Sequence, residues 1–234
     1  MAALLNNLID NVLDIVYYQT CASCGVKGKV ICSSCEGSFK KIDYRSACPV
    51  CGRLTGKRLL CGECILNDRG FSEGYYGFVY ENRLRDAVHT FKFNGRQEVG
   101  RYLVSLLRDI IAIISDKVDC IVPIPITEKR LNERGFNQSF IIAQEVSRLT
   151  GKPVFDKVII KAKDTKDQYS LSKKERKNNI KGAFSLKKYH QIEGKRVLLV
   201  DDLFTTGFTA MEASKVINKA APQAIVFFAL ARTP

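Results

Sequence analysis

The sequence predicts an α/β protein with a doubly wound, mostly parallel sheet, preceded by a small N-terminal helix and a cysteine-rich unit. Three observations predict it. Every cysteine but Cys120 lies before residue 65; after residue 74 short apolar runs alternate with stretches of helical period; and VLLVDD (197–202) sets four apolar residues directly before two acids. Parallel neighbours need a crossover segment to return the chain, so strands alternating with helices read as a parallel sheet. The 234 residues leave room for one substantial core and an accessory unit. We place the boundary in the turn-rich segment LNDRGFSEG (66–74), which gives units 1–70 and 71–234.

The first element is read from Leu4, Leu5, Leu8, Ile9, Val12, Leu13 and Val16, which recur at the spacing of an amphipathic helix. Asp10 and Asp14 inside the apolar stretch, and no basic flank before it, argue against a targeting peptide. Four Cys-x-x-Cys pairs follow within 44 residues: CASC (21–24), CSSC (32–35), CPVC (48–51) and CGEC (61–64). Each pair can aim two sulfurs at one ion from a tight turn, and two pairs complete a tetrahedron, so the set predicts two structural zinc ions. Sequential pairing puts Cys21, Cys24, Cys32 and Cys35 on one ion and Cys48, Cys51, Cys61 and Cys64 on the other; a cross-braced pairing satisfies the same spacing. With no sign of secretion, disulfides are disfavoured. So short a unit, poor in large apolar side chains, needs the metal to fold, and a structural zinc site is worth on the order of 10–16 kcal/mol. Lys40, Lys41, Arg45, Arg53, Lys57 and Arg58 fit either a solvated basic face or a surface for nucleic acid or a partner.

The second unit reads as strand GYYGFVY (74–80), a helix over 84–93, a long helix over 97–114, and the apolar strand CIVPIPI (120–126). A helix over 137–149, strand PVFDKVII (153–160), a basic stretch (161–188), strand RVLLVDD (196–202), a helix after Thr206 and strand AIVFFALA (224–231) complete it. Cys120 reads as a buried packing residue.

Thirty-seven Lys and Arg against 24 Asp and Glu give a net charge of +13, and eight zinc-bound thiolates with two zinc ions lower it to about +9. Such a balance suits polyanionic partners, nucleic acid or phosphorylated small molecules, although solubility alone also accounts for it. No run nears the roughly 20 apolar residues of a membrane crossing, and the expectation is a cytoplasmic protein. His89 and His190 are isolated, and no Ser-His-Asp or Cys-His set stands out, which disfavours nucleophilic hydrolysis.

The chemistry concentrates after strand 197–200. In a doubly wound sheet ligands bind at the carboxyl ends of strands, where Asp201 and Asp202 stand. Two carboxylates there can accept from sugar hydroxyls or hold a hydrated magnesium ion. Thr205-Thr206-Gly207-Phe208-Thr209 then enters a helix, whose unpaired N–H groups and positive dipole end can cradle a phosphate, with the threonine hydroxyls as further donors. Acid pair and anion cup in one turn match a sugar phosphate.

This stretch resembles, at all thirteen positions 197–209, the phosphoribosyl pyrophosphate (PRPP) motif of type I phosphoribosyltransferases. The four cysteine pairs, VPIP (122–125), RGFNQS (134–139), QYSLSKKERKNNIKGAF (168–184) and that motif, in this order, resemble the ComF/GntX family of competence-associated phosphoribosyltransferase homologues over almost the whole chain. The resemblance implies a type I phosphoribosyltransferase-like sheet binding PRPP with Mg2+, Asp201 and Asp202 on the ribose and Thr205 to Thr209 on the 5′-phosphate. It implies Lys129, Arg130 and Arg134 near the diphosphate, where a guanidinium offers paired donors, and Asn137 as the cap of the following helix. The basic stretch, with ten Lys and Arg against three acids, resembles the family's loop that closes over PRPP. Gln168, Arg176 and Asn179 match its recurrent polar positions, and Arg176 is the candidate for stabilising departing pyrophosphate. Lys92, in FKFNG (91–95), is a further phosphate contact by the same resemblance. Three functions follow: transfer of phosphoribose to a base or amine, PRPP or nucleotide sensing without turnover, and handling of single-stranded DNA with the competence machinery. The acceptor and the oligomeric state are not readable from the chain.

Overall fold

In the computed structural model of the chain, residues 19–163 and 179–234 are described; the predicted N-terminal helix, Gln168 and Arg176 lie outside them. Two short helices, α1 (Ser33–Gly37) and α2 (Gly62–Leu66), belong to the cysteine unit. The rest is organised by four parallel strands, β1 (Glu73–Val79), β2 (Cys120–Pro123), β5 (Arg196–Phe204) and β6 (Ala224–Arg232), in the order β1-β6-β5-β2.

The strands are apolar almost throughout because both faces of the sheet are covered, as in parallel sheets generally. Leu198 and Val200 point into a core with α3 (Asn82–Phe93), α4 (Gln97–Ser105), α5 (Arg108–Ser115) and α7 (Gln138–Thr150). Val197 and Leu199 point the other way, to α8 (Phe208–Asn218) and a two-stranded antiparallel hairpin, β3 (Ile159–Lys161) with β4 (Phe184–Leu186). The period-two alternation of VLLV therefore serves two cores at once. The doubly wound parallel fold expected from the sequence is present.

Three expectations change in detail. The single helix over 97–114 is two helices broken at Leu106–Leu107. The break turns buried Leu107 towards Gly77 of β1, where a Cβ would lie 2.4 Å from Leu107 Cδ1, and the freed Leu106 carbonyl accepts from Lys41 Nζ at 2.6 Å. The strand expected over 120–126 ends at Pro123, and a further helix follows it: α6 (Glu128–Arg134) forms, with Thr127 Oγ1 accepting from the Arg130 N–H and Gly135 ending the helix at φ +77°. Segment 153–160 touches the sheet only briefly, through Ile121 N to Pro153 O (2.9 Å) and Phe155 N to Ile121 O (2.8 Å), before leaving for the hairpin. Asp156 and Lys157 are exposed at the point of departure, where a fully buried strand tolerates no charge.

The cysteine unit straddles the β1 edge. Lys40–Ile42 runs antiparallel to β1, with Ile42 N donating to Gly77 O (2.9 Å) and Val79 N to Lys40 O (2.8 Å), so an edge that would template foreign pairing is covered. Cys21, Ile31 and Cys35 join the core of one sheet face, while Cys48, Cys51 and Cys61 join the other beside Phe71 and Tyr76.

Candidate functional site

The strand order creates the cleft. From β2 the chain passes through α7 outwards to the 153–155 bridge; from β5 it passes through α8 the other way, to β6. The connections after β2 and β5 thus diverge onto opposite faces, the switch point at which open α/β sheets bind ligands. Ile124 N to Val200 O (2.9 Å) is the last bond between the two strands. β2 ends there and β5 continues to Phe204, pairing with β6 alone, so Asp201 and Asp202 stand on the strand itself and face the space that β2 vacates. The cleft is lined by Ile126, Arg130, Arg134 and Ser139 from the chain after β2 and by Asp201, Asp202, Thr205 and Thr209 from β5 and the segment after it, with Lys92 and Lys161 also reaching it.

The acids are held differently. Asp202 Oδ2 is 2.8 Å from Lys92 Nζ, with side chains only 13% and 9% exposed. Asp201 Oδ1 accepts from Ser139 Oγ (3.1 Å) and from the Asp202 N–H (2.9 Å). Withdrawal from water and the neighbouring Asp202 charge push the Asp201 pKa up to about 7, against the pull of the Asp202 N–H, Lys92 and Ser139. The cleft therefore holds, beside the Lys92-paired Asp202, a carboxyl that exchanges its proton near neutral pH. Across it, Arg134 donates to Gln138 Oε1 (3.1 Å) and lies 5.1 Å from the Phe93 ring centroid, which fixes the guanidinium plane.

The Thr205–Thr209 loop is tightly built. Gly207 sits at φ +78° as the N-cap of α8, and a Cβ there would lie 2.5 Å from Phe204 Cζ, so both the backbone and the space require glycine. Thr205 and Thr209 line the cleft, while Phe208 packs into the α8 core and Thr206 O accepts from Arg69 Nη1 (2.9 Å).

The cysteines form two groups, Cys21, Cys24, Cys32, Cys35 and Cys48, Cys51, Cys61, Cys64, with all four sulfurs of each within 4.8 Å of one another. Sequential pairing is the one the fold brings together. Tetrahedral zinc with Zn–S near 2.3 Å sets its sulfurs about 3.8 Å apart, and Cys24–Cys32 and Cys51–Cys61 lie at 3.7 and 3.5 Å. Backbone N–H groups aim at sulfur, Cys32 N to Cys21 (3.3 Å) and Cys61 N to Cys48 (3.4 Å). Burial alone would raise the Cys48 pKa, but the N–H groups of Cys51, Cys61 and Val50 more than offset it and hold it at about 7. Both groups fit structural zinc.

Of the residues singled out in the sequence, Asp201, Asp202, Thr205, Thr209, Arg130, Arg134 and Lys92 share the cleft. Lys129 is exposed on α6 outside it, Arg176 falls outside the described residues, and Asn137 caps α7 by accepting from Ser139 N (3.1 Å). Ser139, Gln138, Lys161 and Arg69 are additions; the first two stood in the RGFNQS motif without an assigned part. Five of the six basic ribbon residues are engaged locally: Lys40 with Glu81 (2.6 Å), Lys41 with Leu106 O, Arg45 with Asp43 (3.0 Å), Arg53 with Glu63 (3.0 Å) and Arg58 with Glu73. Among the described residues no helix is long and apolar enough to cross a membrane.

Comparison with known proteins gives relatives over nearly the full chain. A double zinc ribbon domain family matches residues 12–65. Competence protein F of Haemophilus influenzae is 32% identical over 209 residues, 86% of this chain and 90% of the relative. DNA utilization protein YhgH of Escherichia coli is 29% identical (87% and 90%), and competence protein ComFC of Bacillus subtilis 27% (87% and 84%). Among solved structures, a purine phosphoribosyltransferase from Pyrococcus horikoshii aligns at 19% identity and a TM-score of 0.35 over 56% of this chain and 70% of that one.

Proposed function

The chain belongs to the competence protein F/ComFC family, and from that premise we propose that its cleft binds PRPP, with Mg2+ on the diphosphate, in support of single-stranded DNA handling during competence. One observation carries this reading: an acid pair and a threonine-rich helix entrance line one cleft together with Arg130 and Arg134. The ribose hydroxyls donate to Asp201 and Asp202, the 5′-phosphate takes the N–H groups and hydroxyls of Thr205, Thr206, Gly207, Phe208 and Thr209, and Arg130 and Arg134 meet the diphosphate. Lys92, paired with Asp202 at 2.8 Å, holds that carboxylate in place at the cleft. With Mg2+ bound the diphosphate charge is partly neutralised, and transfer to a base or amine would draw on Arg176 as the group facing the departing pyrophosphate.

Calorimetric titration of PRPP with and without Mg2+ tests the assignment. Asp202→Asn is expected to weaken binding by about 10-fold, near 1.4 kcal/mol, because a charged acceptor is lost. Equal affinity in variant and wild type would remove Asp202 from the site. Pyrophosphate release across a panel of bases and amines separates turnover from sensing.

The names of the relatives and the net charge of +13 support the DNA part. Single-strand affinity measured over a salt series is expected to fall with a log-log slope of about 0.7 per phosphate contacted. A flat response would exclude a phosphate-contacting surface.

A further inference from the structure

We propose that Arg69 is a positioning residue that ties the shape of the Thr205–Thr209 loop to the second cysteine centre, so that a metal-loaded ribbon sets the anion cup. The ligand in this proposal rests on the PRPP reading; the geometry does not. Arg69 lies between α2 and β1 and is only 5% exposed. Its guanidinium faces three partners: Nη1 donates to Thr206 O (2.9 Å), Nη2 is 3.3 Å from Glu63 Oε1, and the Cys64 sulfur is close enough to act on its charge. Nε is buried without a partner.

A guanidinium so far from water needs anionic neighbours. Glu63 is one. Zinc binds cysteine as thiolate, so in the loaded centre the neighbouring Cys64 sulfur is a second anionic neighbour. Arg69 is thus anchored on one side by the metal centre and on the other holds a single carbonyl of the loop. A trans peptide points its N–H opposite to its C=O, so fixing Thr206 O fixes the direction of the Gly207 N–H. Gly207 also rests on Arg69, since a Cβ there would lie 3.2 Å from Nη1. Lysine keeps the charge but cannot serve three partners from one planar fork. Arg53 provides the contrast: it donates to the same Glu63 at 3.0 Å from a half-exposed position on the ribbon.

The test uses the zinc-loaded full chain. Amide exchange over 203–209 is expected to quicken by about 10-fold in Arg69→Lys, with two zinc ions retained and PRPP affinity about 10-fold weaker. Arg53→Gln should leave both unchanged. Zinc-loaded Arg69→Lys with loop exchange at the wild-type rate overturns the proposal. Should Arg69→Lys fail to fold, Cys64→Ser is compared with Cys24→Ser: loss of the second ion must loosen 203–209 and loss of the first must not, and equal effects overturn the proposal. If wild type itself does not bind PRPP, the ligand assignment fails, and the exchange comparison still decides the role of Arg69.

Discussion

Dismantling the second cysteine centre with Cys51→Ser and Cys61→Ser is expected to halve the bound zinc and lower the melting temperature of the whole chain by more than about 10 °C. A structural zinc site contributes on the order of 10–16 kcal/mol, and each kcal/mol lost moves the midpoint of a chain of this size by roughly 2–4 °C. The loss would not stay in the ribbon. Cys51 and Cys61 are buried in the same core as Tyr76 and Phe71, and Phe71 stacks on Phe227 of β6 with centroids 5.1 Å apart. The knuckle also takes two bonds from the sheet: Tyr76 Oη donates to Val50 O (2.6 Å) and Arg232 Nε to Cys51 O (2.7 Å). Releasing the knuckle strands a buried guanidinium and a buried phenol, each costing about 1–3 kcal/mol or more. Zinc content by a colorimetric chelator and melting by circular dichroism check it. A doubly substituted chain that loses one ion and melts within a degree or two of wild type would mean that ribbon and sheet are energetically independent.

The parts legible in the sequence were those whose chemistry is local. Four Cys-x-x-Cys pairs carry their own geometry, and only the pairing needed three dimensions. VLLVDD announces a buried strand with acids at its carboxyl end, because period-two burial and a charge limit act on adjacent residues. What stayed hidden depends on contacts distant in sequence. The break at Leu106–Leu107 answers the absence of a side chain at Gly77, some thirty residues away and on a strand; helical period alone favours continuity there. Segment 153–160 has strand composition yet leaves the sheet, because neighbours rather than intrinsic preference decide β structure. Arg69, 137 residues from Thr206, gave no signal beyond a place in a turn-rich linker. Lys92 was singled out as a phosphate contact; what the motif could not tell is that it pairs with Asp202. The cleft was therefore readable as a motif, and its electrostatic balance was not.

That balance gives the second large effect: Asp201→Asn is expected to stabilise the protein above neutral pH while, on the proposed PRPP reading, removing most of the affinity for that ligand. The folded-state pKa of Asp201 is raised to about 7, whereas an unfolded aspartate titrates near 3.9. Between roughly pH 4 and 7 the folded chain holds a proton that the unfolded chain has lost, so this residue's contribution to stability is full below pH 4, declines as pH rises and is gone above 7. Forcing the carboxylate to ionise in the cleft then costs up to a few kcal/mol. Asparagine keeps an Oδ1 for the two donors that Asp201 Oδ1 serves, Ser139 Oγ and the Asp202 N–H, and its amide can donate to Asp202 in place of repelling it. The variant should thus melt about 5–10 °C above wild type at pH 8 and nearly with it at pH 4. On the proposed PRPP reading binding should move the other way: wild-type affinity is expected to rise between pH 6 and 8 as Asp201 ionises, and the variant to lose both that slope and about 100-fold in affinity, equivalent to two steps of 1.4 kcal/mol. Thermal melts of both proteins across pH 4–8 read the first half and calorimetry at pH 6 and 8 the second. A variant less stable than wild type at pH 8, or a stability gap that ignores pH, would show that folding does not raise the Asp201 pKa and that its neighbours, chiefly Lys92 and Ser139, offset the burial and the Asp202 charge.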